Sequence, residues 1–236
     1  MLHAFSRTEM IIGTENLKKL KNSKIAIFGI GGVGTFVVEA LARSGIGSFV
    51  LVDHDVIDIT NINRQLHANM NTVGKSKVEI MKQRILDINP DTEIKTIQEL
   101  YKPENAEQML SLGYSYVVDA IDMVSSKLDL VERCHKMGIP IISSMGAGNK
   151  LNPTMLEVED IFKTSVCPLA RVMRTELRKR NIPELKVVYS KEKPITPLKL
   201  ENNENRRQLP GSVSFVPSVA GLIIASEVVK DLIIKG

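Results

Sequence analysis

Short apolar runs alternate with stretches of helical spacing along the first 150 residues. The run KIAIFG at 24–29 is apolar and β-branched, and apolar residues at helical spacing follow it over 33–44. Further strands are predicted at 49–53, 93–97, 116–120 and 140–144, and further helices at 75–88, 103–112 and 126–137. Strands that alternate with helices of this length indicate a parallel sheet covered on both faces.

The second half is less regular. Short strands are predicted at 155–158 and 186–189, a helix at 169–180 and a long closing helix at 215–233. Residues 191–211 are rich in proline, asparagine and charge, which predicts a mobile loop over a site. The whole pattern predicts an α/β, Rossmann-like fold, with a mostly parallel sheet, helices on both faces and a smaller mixed C-terminal part as an extension.

Composition narrows the class of protein. A chain of 236 residues with 43% hydrophobic residues is long enough for one large α/β domain. Its net charge of +4 suits a polyanionic partner, although a solvated basic surface explains the charge equally well. The first ten residues lack the apolar core of a secretory signal, and charges and a proline interrupt the apolar stretch 213–234. We therefore expect a cytoplasmic protein without a membrane span.

Candidate chemistry begins at the glycine-rich turn GIGGVG at 29–34, which follows the first strand and opens a helix. Gly29 allows the tight turn, Gly31, beside Gly32, lets the backbone approach a phosphate, and Gly34 lets helix and strand pack closely. Asp53 ends the second strand, where its carboxylate can accept hydrogen bonds from ribose hydroxyls. This pattern predicts a nucleotide site but leaves NAD and ATP open.

Polar and cationic residues after the second strand favour ATP. The stretch DHDVIDITNINRQ at 53–65 places Asp55, Asn61, Asn63 and Arg64 where ligands of open α/β sheets lie, and Lys77 opens the next long helix. Pyrophosphate leaving from an α-phosphate builds negative charge that such cations neutralise. Solvated surface charges are the alternative interpretation of Arg64 and Lys77.

Two carboxylates near the end of the fourth strand suit a magnesium ion. Asp119 and Asp122, in VVDAID, supply oxygen ligands of the kind that a phosphate-bridging Mg²⁺ prefers. Asp119 is also compatible with capping the helix that follows.

These residues carry a resemblance to a known family. The chain resembles the ThiF/HesA/MoeB superfamily, the bacterial relatives of ubiquitin-activating enzymes, in FSRTE at 5–9, GIGGVG at 29–34, EALARSGIG at 39–47, DHD at 53–55 and NINRQ at 61–65. The resemblance implies ATP in the glycine loop and a ribose contact from Asp53. It also implies phosphate contacts from Asn61, Arg64 and Lys77, with Asp122 serving Mg²⁺ and the phosphates. Arg7 matches an arginine that reaches into a neighbouring protomer, so a homodimer with shared sites is implied.

The second half resembles one branch of that superfamily, the tRNA threonylcarbamoyladenosine dehydratases. The similar segments are GAGNKLNPT at 146–154, VEDIFKT at 158–164 and CPLARVMR at 167–174. The resemblance implies one ATP-binding adenylation domain over 1–236, with a nucleotide-binding part at 1–150 and a substrate-binding part at 151–236. It also implies a reaction in which ATP activates a carboxylate on a tRNA adenosine, which then closes into a ring with loss of water. Met123, where many superfamily members have asparagine, departs from the common pattern.

Cysteine usage supports that branch. The chain has only Cys134 and Cys167, so it lacks the paired CxxC zinc ligands that are common in activators of ubiquitin-like proteins. An acyl-adenylate attacked by its own side chain reacts at effective concentrations that approach ~10⁵ M and needs no cysteine nucleophile. Cys167 remains the only candidate nucleophile, but its position before Pro168 at a helix start favours a structural or incidental role, and we interpret Cys134 as a core residue.

Substrate contacts are predicted on a basic helix and on the polar loop. Arg171, Arg174 and Arg178 share one helical face, and Arg206 and Arg207 lie in the loop; all five are candidate contacts to RNA phosphates. An ordinary solvated face and a disordered loop are the alternatives. Two rival functions stay open, an activator of a ubiquitin-like sulfur carrier and a nucleotide-dependent sensor that releases no pyrophosphate. Participation of a sulfur-transfer partner protein is also left open.

Overall fold

A single seven-stranded sheet organises the chain in a computed structural model that describes residues 2–198 and 210–234. The strand order is β3-β2-β1-β4-β5-β7-β6, and every neighbouring pair is parallel except β6 with β7. The strands are β1 (Lys24–Phe28), β2 (Ser48–Val52), β3 (Glu93–Ile97), β4 (Tyr116–Asp119), β5 (Ile141–Ser144), β6 (Leu156–Asp160) and β7 (Lys186–Ser190). The predicted mostly parallel sheet is confirmed, and β6 and β7, from the less regular half, extend the same sheet.

Helices cover both faces of this sheet. They are α1 (Ser6–Ile12), α2 (Thr14–Lys21), α3 (Gly34–Arg43), α4 (Lys77–Ile88), α5 (Ala106–Leu110), α6 (Val124–Met137), α7 (Pro168–Lys179) and α8 (Phe215–Ile234). Side chains alternate along β1, so that Ile25 and Ile27 join the core beneath α3, α4 and α8, while Ala26 and Phe28 join the core beneath α5 and α6. A third cluster of buried residues lies between α6, α7 and β7.

Strand bounds agree with the sequence prediction within two residues, but two helices were missed. The segment before β1 forms α1, which buries none of its residues, and α2, which buries only Leu20. The two helices span only seven and eight residues, about two turns each, which is too short for a helical pattern to be recognised from the sequence. The helix predicted at 103–112 is shorter, because only Ala106–Leu110 is helical.

The long closing helix α8 packs against α3 and the sheet. Its buried residues include Val216, Ala220, Ile224 and Val228. None of the helices within the described ranges combines the length and the apolar character that a membrane crossing requires. Most of the predicted loop at 191–211 lies outside the described residues, since the description stops at 198 and resumes at 210.

Candidate active site

The glycine turn between β1 and α3 has no room for side chains at two positions. Gly29 has φ +92°, and a Cβ there would lie 2.5 Å from the Ala120 carbonyl oxygen. A Cβ on Gly34 would lie 1.9 Å from the Gly29 carbonyl oxygen. These contacts bring the start of α3 close to β1 and β4, as the spacing of the glycines predicts. Gly34 therefore acts through packing and does not line the pocket, whereas Gly31 and Gly32 do.

Asp53 and His67 both hydrogen-bond to the backbone of Ile30 in this turn. Asp53 Oδ2 accepts a hydrogen bond from the Ile30 amide at 2.6 Å, and the His67 ring lies with Nε2 3.0 Å from the Ile30 carbonyl oxygen. A carbonyl only accepts, so His67 Nε2 carries the proton. The peptide groups on both sides of Ile30 are thus fixed, which presets the turn for a ligand.

His67 is neutral at physiological pH. Burial lowers its pKa to about 4, the Lys77 ammonium acts in the same direction, and the hydrogen bond to Ile30 opposes them. Its Nδ1 atom is buried without a hydrogen-bond partner among the described residues. Sequence reasoning missed His67 because nothing in the NINRQLH segment shows that the histidine contacts the glycine turn.

Lys77 and Asp55 form an ion pair at the pocket. Lys77 Nζ lies 2.6 Å from Asp55 Oδ2, and the lysine is buried although its partner is half exposed. The lysine opens α4 and the aspartate follows β2, so two elements aim their charges at one place. Both side chains line the pocket, where the predictions place phosphates.

Arg64, Asn61 and Gln65 extend the polar wall. Arg64 Nη1 donates hydrogen bonds to the Thr60 carbonyl at 2.8 Å and to Asn63 Oδ1 at 3.0 Å. Asn61 and Gln65 are buried and line the pocket with Arg64.

Asn63 and Gln65 differ from the sequence predictions in opposite ways. The predicted ligand contact Asn63 does not line the pocket; its Nδ2 donates to the Ser212 carbonyl at 2.9 Å and so ties that segment to the site. Gln65, which was quoted in the motif but assigned no role, lines the pocket, and its buried Oε1 has no partner in the described chain. Its position beside Arg64 was the only signal for it.

The prediction that Asp119 is a magnesium ligand is wrong. The side chain is fully buried, and its oxygens accept from Ser143 Oγ at 2.7 Å and the Ile121 amide at 3.1 Å and pair with Lys127 Nζ at 2.9 Å. Asp119 does not line the pocket. It does not cap α6 either, because the residue before that helix is Met123.

Asp122 is placed differently from Asp119. It is exposed and lines the pocket, and within residues 2–198 and 210–234 its carboxylate has no hydrogen-bond or ion-pair partner. A free carboxylate at the edge of the pocket fits a hard cation. Ligand atoms of Asp53, His54 and Asp55 also lie within 4.8 Å of one another, although Asp55 already pairs with Lys77.

The pocket enclosed by these groups has a volume of about 370 Å³ and lies at the carboxyl ends of β1, β2 and β4. One wall comes from the glycine turn and another from the polar residues after β2. Residues 147–148 and 210–212 also line the pocket. Ligands of open α/β sheets bind at such a point.

Arg7 and the basic helix lie apart from this pocket. Arg7 is exposed on α1 and does not line it. On α7, Arg174 hydrogen-bonds to Thr164, and Arg178 lies over the Phe162 ring at 5.3 Å. Arg171 and Arg178 are both exposed. The remaining predicted RNA contacts, Arg206 and Arg207, lie outside the described residues.

The two cysteines are buried, as expected for structural residues. Cys134 is completely inaccessible, and burial raises the pKa of its thiol to about 12. Cys167 precedes α7 and is 1% exposed. Neither lines the pocket.

Comparison with known proteins identifies a family and several relatives. Residues 5–235 match the ThiF family. The chain is 49% identical to the Bacillus subtilis (strain 168) tRNA threonylcarbamoyladenosine dehydratase, over 99% of the chain and 96% of that protein. It is 30% identical to a Saccharomyces cerevisiae adenylyltransferase and sulfurtransferase, but only over 63% of the chain and 34% of that protein.

Solved structures of an E. coli enzyme are also similar to this chain. The crystal structure of the Escherichia coli tRNA N6-threonylcarbamoyladenosine dehydratase in complex with ATP superposes with a TM-score of 0.90 and 34% identity, over 98% of this chain and 94% of that one. The complex of the same E. coli enzyme with AMP matches equally well.

Proposed function

The chain belongs to the ThiF family, and we propose that it is an ATP-dependent dehydratase that cyclises N6-threonylcarbamoyladenosine in tRNA through adenylation of its carboxylate. The observation that carries this proposal is the 49% identity to the B. subtilis dehydratase along nearly the whole of both chains. The predicted family and dehydratase branch are thereby confirmed. The pocket, which Asn61, Arg64, Lys77 and Asp122 line together, supports the proposal.

ATP binding follows from the solved relatives and suits the pocket. The E. coli relative, whose fold matches over 98% of this chain, has been solved with ATP and with AMP. In this chain the glycine turn would receive the nucleotide and Asp53 the ribose. Asn61, Arg64 and Lys77 would contact the phosphates, since they converge on the same wall.

The reaction then has two steps. A substrate carboxylate oxygen attacks the α-phosphorus and pyrophosphate leaves, while Arg64 and Lys77 neutralise the charge that builds on the phosphates. A neighbouring atom of the same side chain attacks the activated carbonyl and expels AMP. The lost carboxylate oxygen departs in AMP and one proton is released, so the nucleoside becomes lighter by one water.

Magnesium would be held by Asp122. Its exposed carboxylate lines the pocket and has no partner in the described ranges, which fits an oxygen-preferring cation. When bound, Mg²⁺ supplies charge neutralisation and orientation of the phosphates.

A homodimer would complete each site with Arg7 from the other protomer. Helix α1 buries none of its residues, and Met10 and Ile11 on it are 84% and 87% exposed. An apolar helix surface of this kind suits a protein interface. Arg7 projects from the same helix and does not line its own pocket, as donation to a partner requires.

Complementation tests that arrangement. Arg7→Ala and Lys77→Ala are each expected to be inactive, but an equal mixture allowed to exchange protomers should regain roughly one quarter of wild-type activity, because each heterodimer has one intact site. A mixture that stays inactive while exchange is verified would contradict donation of Arg7 across the interface.

Contacts to tRNA are proposed at Arg171, Arg174 and Arg178, with Arg206 and Arg207 as further candidates. Arg171 is the sharpest test, because the other two helix residues also make contacts within the chain. Arg171→Ala should weaken tRNA binding. It should also reduce the slope of the logarithm of the binding constant against the logarithm of the salt concentration by about one. Unchanged binding at low and high salt would remove the helix from the tRNA surface.

The reaction itself is tested with purified protein, tRNA that carries threonylcarbamoyladenosine, ATP and Mg²⁺. We expect AMP and pyrophosphate to form, and mass analysis should show the modified nucleoside lighter by one water. Formation of AMP only when a ubiquitin-like carrier is added would favour the rival activator function, and ATP binding without turnover would favour a sensor. Addition of a cell extract tests whether a sulfur-transfer partner protein is required.

A further inference from the structure

Two opposite charges are completely enclosed beneath the candidate active site. Asp119 ends β4 and Lys127 lies one turn inside α6, with Lys127 Nζ 2.9 Å from Asp119 Oδ2 and both side chains 0% exposed. Enclosure removes the hydration of both ions, which costs free energy. Well-packed apolar residues of similar size often stabilise a fold as much as a buried ion pair does, or more. Stability alone therefore does not account for the pair.

The pair grips one peptide segment at the edge of the pocket. Asp119 Oδ1 accepts from the Ile121 amide at 3.1 Å, and Lys127 Nζ donates to the Ile121 carbonyl at 3.0 Å. Ser143 Oγ donates to Asp119 Oδ2 at 2.7 Å and ties the aspartate to β5. Both polar groups of Ile121 are thus held by charged side chains that cannot turn towards water.

The gripped carbonyl belongs to the peptide bond that leads into Asp122. Because that peptide is planar, fixing the Ile121 carbonyl also fixes the direction in which the Asp122 backbone leaves it. The Asp122 carboxylate has no partner of its own in the described part of the chain, so its aim depends on this backbone. Ala120, one residue earlier, donates its amide to the Phe28 carbonyl at 2.8 Å and faces Gly29.

We propose that Lys127 and Asp119 are positioning residues that aim Asp122 at the nucleotide by clamping the Ile121 peptide. The proposal rests on the proposed function through the role of Asp122. In this arrangement the two buried charges hold the Ile121 peptide in place, and Ser143 holds Asp119 through its hydrogen bond.

The test separates positioning from stability. Lys127→Met strands a buried carboxylate, whereas the double variant Asp119→Asn/Lys127→Met removes both charges and should regain most of the lost Tm. If the clamp positions Asp122, turnover to AMP and pyrophosphate by the double variant stays at least about tenfold below wild type. Val131→Ala, a buried change on the same helix, provides a destabilised control that should retain activity at temperatures well below its Tm.

A mutant cycle with Asp122→Ala tests whether Lys127 and Asp119 affect turnover through Asp122. Residues that act as a unit are non-additive, so Asp122→Ala should lower turnover much less in the charge-free double variant than in the wild type. Ser143→Ala gives a milder variant, in which we expect a small loss of turnover, about two- to fivefold, that also disappears when Asp122 is absent.

Different results would contradict the role of Asp122 and the positioning inference. If Asp122→Ala leaves wild-type turnover unchanged, the proposed role of Asp122 is wrong. If Asp122→Ala lowers turnover but the charge-free double variant and Ser143→Ala are fully active, the positioning inference is wrong. Should the double variant not fold, Ser143→Ala combined with Asp122→Ala decides alone, and additive losses overturn the proposal.

Discussion

Lys77 Nζ lies 2.6 Å from Asp55 Oδ2 while the lysine side chain is 6% exposed and the aspartate side chain 48% exposed. The pairing is therefore asymmetric, because water reaches the anion but hardly reaches the cation. A buried ammonium is costly without a partner, so Asp55 stabilises it in the ligand-free protein. Asp55 therefore neutralises the Lys77 charge in the absence of a ligand.

Loss of the Lys77 charge should cost catalysis more than stability. For Lys77→Ala we expect ATP–pyrophosphate exchange in the presence of modified tRNA to fall on the order of 10²- to 10³-fold, since a preorganised charge at the phosphates is lost. Lys75→Ala is the matched control: Lys75 lies two residues earlier, is exposed and does not line the pocket. Equal exchange rates in the two variants would contradict the role of Lys77.

Removal of Asp55 should make the protein depend more on its ligand. Asp55→Asn leaves the Lys77 ammonium buried without an anion, so the ligand-free protein should melt about 2–4 °C lower. Bound ATP restores a negative partner, and the rise in Tm at saturating ATP should therefore exceed the wild-type rise. Thermal unfolding with and without ATP measures both shifts, and a smaller ATP shift than in wild type would contradict this account.

Gln65 should affect stability and binding with opposite signs. Its Oε1 is buried without a partner in the described residues, although the side chain lines the pocket. An unpaired buried polar atom costs about 1–3 kcal/mol, so Gln65→Met should raise the Tm of the ligand-free protein by about 2–12 °C. The same change removes an amide that faces the ligand and should raise the Kd for ATP.

Calorimetric titration with ATP, beside thermal unfolding, tests the Gln65 prediction. Gln83→Met is the control, because that glutamine is on the surface of α4 and bonds to Asp87. A Gln65→Met protein with lower Tm and unchanged affinity would show that the amide serves the fold and not the ligand.

The features predicted correctly are those that depend on residues close together in the sequence. The strands and the glycine turn follow from short apolar runs and local spacing, and Lys77 was found because it begins a strongly patterned helix. The N-terminal helices, by contrast, are too short to show a clear pattern. Asp119 was misassigned because only the folded chain brings Lys127 and Ser143 to it. His67 was missed for the same reason, since its partner Ile30 is 37 residues away.

His67 should make the protein sensitive to acid over a defined pH range. Its pKa is lowered from 6.5 to about 4 by burial, so between these values the unfolded chain binds a proton that the folded chain refuses. Stability therefore falls as the pH decreases from 6.5 to 4, by about 3 kcal/mol in total from this group. His67→Gln, whose amide can still donate to Ile30, should lose this component.

Urea unfolding at several pH values measures the His67 effect. The difference in the free energy of unfolding between His67→Gln and wild type should shift in favour of the variant as the pH falls from 6.5 to 4 and be constant above 7. Parallel pH curves for the two proteins would mean that His67 titrates normally in the folded state.

Two glycines of one turn should respond differently to the same substitution. A Cβ on Gly34 would lie 1.9 Å from the Gly29 carbonyl oxygen, so Gly34→Ala must displace backbone and should lower the Tm severely or prevent folding. A Cβ on Gly31 has only Gln65 Nε2 within 4 Å, at 3.9 Å, so Gly31→Ala should fold with a Tm close to wild type. Gly31 nevertheless lines the pocket, and a methyl group there would occupy space that a phosphate needs. We expect Gly31→Ala to lose ATP binding at least tenfold by calorimetric titration, and wild-type affinity in that folded variant would place the nucleotide elsewhere.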